Sequence, residues 1–138
     1  IRKDETMLNI GIKGTKTETV TNENTAAHLG SGDLQVYGTP AMIALMESAA
    51  LESVQPYLEP GTTTVGVRLE VEHLAPSPLG MKISCESTLI EIDRRMLTFE
   101  VSVFDEKGEI GRGIHKRFVV QKDTFLQKAL ARKSTDPS

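Results

Sequence analysis

The hydrophobic pattern of the chain switches from period two to a helical period and back. Leu8, Ile10 and Ile12 alternate with Asn9, Gly11 and Lys13, and Thr15, Thr17 and Thr19 continue with β-branched side chains, which predicts a strand from Leu8 to Val20. Thr21-Asn22-Glu23-Asn24 reads as a turn, with Asn24 or Thr25 available to cap a short helix, and Gly30-Ser31-Gly32-Asp33 as a flexible loop. At Thr39-Pro40 the period changes. Thr39 suits an N-cap and Pro40 the first helical position, and Met, Ile, Leu and Ala follow at helical spacing from Ala41 to Tyr57. Glu59-Pro60-Gly61 ends this helix, which is apolar almost all round and is therefore expected to be buried.

After the helix the period returns to two. Val65, Val67, Leu69 and Val71 are expected to face one way, and Gly66, Arg68, Glu70 and Glu72 the other. Met81 to Leu89, Leu97 to Val103 and Ile110 to Gln121 are three further strands. Pro76-Ser77-Pro78-Leu79-Gly80, Asp93-Arg94-Arg95 and Asp105-Glu106-Lys107-Gly108 are the links between them. A short polar helix from about Asp123 to Arg132 finishes the chain. Links this short make the last four strands an antiparallel meander, whose apolar face needs the central helix as its cover. The expected class is α+β: an antiparallel sheet of about five strands wrapped round one long central helix. Its open edge strands favour pairing into a dimer.

Composition narrows the function. The chain has 138 residues, enough for one core; that domain is expected over 7–122, with a C-terminal helix and tail over 123–138. Residues 1–6 are charged and are expected to be a vector-derived or disordered leader ahead of a natural start at Met7. Sixteen basic against nineteen acidic residues give a net charge of −3, and there is no Trp, so a nucleic-acid binder is not expected. One cysteine leaves no internal disulfide and no Cys-rich zinc site. The uncharged run Leu34 to Met46 is too short to cross a membrane, and the expected setting is soluble, reducing and cytoplasmic.

Six residues stand out as candidates for chemistry. Glu47 has Ile43, Ala44, Ala50 and Leu51 as its helical neighbours, and burial there would raise its pKa towards the range useful for acid–base work. The plain alternative is a Glu that reaches solvent at a helix edge. His73 falls on the apolar parity of its strand and is expected to point at the helix carrying Glu47, as a Glu–His couple; a core histidine bonded to a carbonyl is the bland reading. Thr39 begins the helix, about 12 Å along the axis from Glu47, so the two meet only if the helix starts later or a dimer partner joins them. Gly66 interrupts a β-branched strand, where its N–H could serve as an oxyanion donor or mark a simple bulge. Gly111, Gly113, His115 and Arg117 share one strand face, read as an open polar groove or as a solvated outer face; Arg117 could meet a phosphate or carboxylate there. Three scattered histidines and no HExxH give no metal spacing.

Taken together, these residues resemble the hot-dog-fold thioesterases, and among them the fluoroacetyl-CoA thioesterase-like group. The resemblance covers roughly 39–120. It rests on Thr39 followed eight residues on by Glu47 in Leu45-Met46-Glu47, then Pro56-Tyr57-Leu58-Glu59-Pro60-Gly61, Gly66, His73 in Val71-Glu72-His73, and Glu109-Ile110-Gly111-Arg112-Gly113-Ile114-His115-Lys116-Arg117. The family implies a homodimer with active sites at the interface, an acyl-CoA substrate, and no cofactor or metal beyond the CoA of the substrate. It implies Thr39, Glu47 and His73 as the catalytic set, Gly66 at the thioester oxygen, and Arg117, with His115 beside it, near the substrate or CoA. In that family phenylalanines ahead of the catalytic Thr form a lid that recognises fluorine. His28 to Gly38 contains no Phe, so a different short acyl group is expected, with the loop glycines gating entry. Two other functions fit such a chain. A hot-dog enoyl-CoA hydratase typically has Asp five residues before its His, but Glu23, Arg68 and Ile110 stand there. A non-catalytic acyl-CoA sensor would bind CoA esters independently of Glu47.

Overall fold

The computed structural model describes residues 8–133. The expectation about residues 1–6 and a start at Met7 lies outside them. The elements are β1 (Lys13–Thr19), a 3-10 turn (Asn22–Asn24), α1 (Ala26–Leu29), α2 (Thr39–Val54), a 3-10 turn (Gln55–Tyr57), β2 (Thr62–His73), β3 (Lys82–Asp93), β4 (Met96–Asp105), β5 (Gly108–Gln121) and α3 (Lys122–Ala131). The five strands form one sheet in the order β1-β3-β4-β5-β2, with every pair antiparallel. β1 and β2 are therefore the two edges, which corrects the expected four-strand meander: only β3, β4 and β5 follow one another across the sheet, while β2 pairs with β5 and leaves its link to β3 to cross from one side of the sheet to the other.

α2 lies across the concave face and touches all five strands. It buries Met42, Leu45, Met46, Ala49, Ala50 and Val54 against Ile83, Leu89, Leu97, Phe99, Val101, Val103 and Ile110 of the sheet. Such a large apolar contact is the main source of stability, at about 25 cal/mol for each Å² withdrawn from water. The approach of β1 to the helix is close because Gly14 has no side chain: a Cβ there would lie 2.6 Å from Ser53 Cβ and 2.7 Å from the Ala49 carbonyl oxygen.

Four expectations are corrected by this packing. The first strand starts at Lys13 rather than Leu8, because Gly11 adopts φ +102° and turns the chain so that its N–H reaches the Leu89 carbonyl. The N-cap of α2 is Gly38; Thr39 is already inside the first turn, and its hydroxyl is engaged elsewhere. The helix is not buried all round. Ala44 is exposed, and Ile43, Glu47 and Leu51 are only half-buried, since a single sheet covers one side of a helix. Finally, the strict alternation of β2 fails at Val67. The register against β5 shifts between Gly66 and Arg68, leaving Val67 as an extra residue that is 52% exposed. Thr64 and Gly66 before the bulge, and His73 after it, consequently lie on the helix side of the sheet.

Candidate active site

The sequence candidates form two clusters in one chain. The first is at the N-terminal end of α2. Thr39 Oγ1 and His73 Nδ1 are 2.7 Å apart, joining the first turn of α2 to the last residue of β2. His73 Nε2 is buried without a hydrogen-bond partner among the described residues. Tyr37, two residues before Thr39, sets its ring edge-on to the His73 imidazole, with centroids 6.4 Å apart and planes at 84°. The Tyr37 hydroxyl donates to Glu18 Oε2 at 2.5 Å, and its phenol is held well above the usual range by burial and by the Glu18 carboxylate. A cleft of about 310 Å³ opens beside this cluster, lined by Ala26, Ser31, Val36, Tyr37, Thr39 and His73 among others.

The second cluster is two turns further along α2. Glu47 Oε2 lies 3.8 Å from Arg117 Nη1, with the Glu47 side chain 39% exposed and that of Arg117 only 7%. Gly66 forms the floor beneath the carboxylate. A Cβ there would come within 2.5 Å of Glu47 Oε2 and 3.2 Å of His115 Cε1, so a side chain at this position would displace the carboxylate from its place above the strand. Arg117 Nε donates to Thr64 Oγ1 at 2.7 Å, and Nη2 to the Thr64 carbonyl at 2.9 Å. His115, fully buried, has Nδ1 2.9 Å from the Arg68 carbonyl and Nε2 3.1 Å from Arg117 Nη1. A carbonyl can only accept, so Nδ1 carries the proton and Nε2 accepts from the guanidinium.

The face bearing Gly111, Gly113, His115 and Arg117 is therefore neither an open groove nor a solvated surface. It is turned towards α2: Gly111 is buried, and a Cβ on it would strike Met42. Glu47 is less buried than its apolar neighbours suggested, because its flank of α2 lies beyond the cover of the sheet. No hydrogen bond joins Glu47 to His73 or Thr39; the partner of His73 is Thr39. With α2 starting at Thr39, eight residues still separate Thr39 from Glu47, or about 12 Å along the axis. Sequence reasoning missed two residues. Thr64 passed as an ordinary β-branched strand position, on the outward parity counted from Val65. Tyr37 sat in a loop, where its only signal was an aromatic two residues ahead of Thr39.

Both histidines are held below the ordinary value of 6.5, chiefly by burial. For His115 the Arg68 carbonyl and Glu47 oppose this while Arg117 reinforces it; for His73 the Ala75 backbone opposes it. The unfolded chain thus takes up protons before the folded one as the pH falls. Stability is complete above about pH 6.5 and is lost progressively below it. The urea midpoint is expected to drop between about pH 7.5 and pH 5.5, with a flatter slope in His115→Gln. An equal slope in both proteins would assign the effect to other groups.

Among the described residues, no group of three or more His, Cys, Asp and Glu is placed to hold a metal ion. No helix there is long and apolar enough to cross a membrane. A five-stranded antiparallel sheet wrapped around one long helix is the hot-dog fold. A hot-dog-like protein from Thermanaerovibrio acidaminovorans has the same fold, with a TM-score of 0.85 at 24% identity over 99% of this chain and 100% of that one.

Residues 20–123 match the family described as fluoroacetyl-CoA-specific thioesterase. The fluoroacetyl-CoA thioesterase of Streptantibioticus cattleyicolor is 36% identical over 94 residues, 68% of either chain. A solved structure of a fluoroacetyl-CoA thioesterase superposes with a TM-score of 0.85 at 31% identity, covering 92% of this chain and 98% of that one. Another, a variant in complex with fluoroacetate and CoA, reaches 0.81 at 31% identity over 86% and 99% of the two chains. The chain belongs to this family, and it is a thioesterase.

Proposed function

We propose that this enzyme hydrolyses a small acyl-CoA thioester as a homodimer, with each active site assembled from both subunits. The carrying observation is that the chemistry is split. Thr39 and His73 form one half-site, and Glu47 over Gly66 forms another, about 12 Å away on the same helix. Both halves lie along surface that a single chain leaves uncovered. Ala44 is exposed on α2, Val67 is 52% exposed on the β2 edge, and Leu74 just beyond it is 47% exposed. A two-fold axis near the middle of β2 would pair this edge with its copy and run the second α2 alongside the first. The Thr39–His73 end of one helix then meets the Glu47 end of the other.

In such a site Glu47 delivers the attack on the thioester carbonyl, either by taking a proton from water or as the nucleophile itself. The Gly66 N–H supports the oxygen as it gains charge. In the water route His73, oriented by Thr39, relays to the departing thiolate the proton that Glu47 takes from water. In the covalent route the thiolate leaves as the anhydride forms, and water then opens the anhydride to free acid and restores the Glu47 carboxylate. An acyl group trapped on Glu47 in a single turnover would select the covalent route; a burst-free time course with no adduct would select the water route.

The acyl group is expected to be short and unfluorinated. Residues 28–38 contain no Phe to build a fluorine-recognising lid, and Ser31, Val36 and Tyr37 line the cleft beside Thr39. The test is thiol release from acyl-CoAs running from acetyl to decanoyl, with fluoroacetyl and aryl esters alongside. Turnover should peak among the short esters, with no preference for fluoroacetyl over acetyl. A strong fluoroacetyl preference would overturn the substrate assignment. Tight binding of every ester with turnover of none would point to a sensor.

A further inference from the structure

We infer that Arg117 is a positioning residue for Glu47 rather than a ligand for CoA, and that Thr64 and His115 fix its aim. The inference rests on Glu47 being the catalytic carboxylate. A residue that receives the phosphates of CoA must present its charge to solvent, yet the Arg117 side chain is only 7% exposed. Each of its three nitrogens also already has a partner within the chain. Nε and Nη2 both bond Thr64, at 2.7 and 2.9 Å, and this two-point grip sets the plane of the guanidinium. Nη1 then lies 3.1 Å from His115 Nε2 and 3.8 Å from Glu47 Oε2. Among the described residues, Glu47 is the one carboxylate paired with it.

His115 holds the other side of this mount. Its Nδ1 proton is spent on the Arg68 carbonyl, next to the bulge in β2, so its Nε2 can only accept. A histidine locked in this tautomer takes one Nη1 proton, and the charge of the guanidinium remains to face Glu47. The glycine at 66 completes the arrangement by letting the carboxylate come down onto the mount. Lysine could not replace Arg117, since one ammonium cannot bond both Thr64 oxygens and His115 in a plane.

The test separates a carboxylate mount from a CoA contact. Thr64→Val keeps the size and β-branching of the side chain and removes the acceptor for Nε. It is expected to lower kcat about tenfold or more, the effect of losing one buried charge-assisted hydrogen bond, with KM for acyl-CoA within about twofold of wild type. Thr64→Ser restores the hydroxyl and should recover most of kcat, which a mere packing defect would not allow. Arg117→Lys should lower kcat equally for esters of CoA and of dephospho-CoA. If Arg117→Lys instead raises KM for the CoA ester and leaves the dephospho-CoA ester unaffected, Arg117 binds the phosphate and the inference falls. It falls as well if Thr64→Val has wild-type kcat, or if Thr64→Ser is as impaired as Thr64→Val. Glu47→Gln run in parallel distinguishes the two levels: if it turns over like wild type, the reading of Glu47 itself has failed and this inference goes with it.

Discussion

Glu47→Gln is expected to lower kcat/KM for the best acyl-CoA by about a thousandfold or more, within the range that a general base or nucleophile contributes. The substitution changes one atom and keeps the shape. A carboxamide oxygen can still face Arg117 Nη1, where Oε2 now lies at 3.8 Å, and it still fits above Gly66. What is lost is the negative charge, and with it the ability to accept a proton or attack a carbonyl. The fold should survive, because the Glu47 side chain is 39% exposed and the core contacts of α2 are made by other residues. Thiol release and a urea titration on the same preparation check both halves of this expectation. Retention of more than about a tenth of wild-type activity would exclude an essential carboxylate, since one tenfold step is only about 1.4 kcal/mol.

The second large effect is a gain of activity on mixing. Glu47→Gln and His73→Ala should each be nearly inactive alone. If a site takes Thr39 and His73 from one subunit and Glu47 from the other, a mixed dimer contains one site with every group intact and one with both substitutions. Random exchange of equal amounts makes about half the dimers mixed, so about a quarter of wild-type activity should return. If each chain carried a whole site, mixing would restore nothing, because every site would retain one defect. Exchange is verified independently by mass spectrometry of differently tagged subunits. No recovery despite complete exchange would dismiss the shared site and require Glu47 and His73 to work within one chain.

The sheet and the central helix were legible because their signals are local. Phe99 and Val101 are buried while Glu100 between them is exposed, and Asp105 and Gly108 close a hairpin where the turn residues stand. Pro40 near the start of α2 and Glu59-Pro60-Gly61 beyond its end bracketed the long helix, although the α-helix itself stops at Val54, three residues short of the expected Tyr57, and Gln55–Tyr57 tightens into a 3-10 turn at Pro56. Glu47, His73 and Gly66 were each conspicuous as a departure from the pattern around them. Three features were not legible, and each depends on atoms distant in sequence. Parity along β2 breaks at Val67, and whether a strand bulges is decided by how its partner packs; the count from Val65 therefore put Thr64 and Gly66 on the wrong face. Arg117 carried the same charge in either reading, and only the position of α2 decided that it faces Glu47 from a buried site. Thr39 looked like a cap because caps are short polar residues before a helix, but its hydroxyl found His73, 34 residues away.

The sequence by itself determined the element order, the α+β class and the residues able to do chemistry, because periodicity, turn residues and isolated polar groups act over a few positions. Only the tertiary structure decided which of those residues meet. Thr39 joined His73, Arg117 joined Glu47, and the two pairs stayed apart, because the distance along a rigid helix and the register of a bulged strand are set by the packing of the whole sheet.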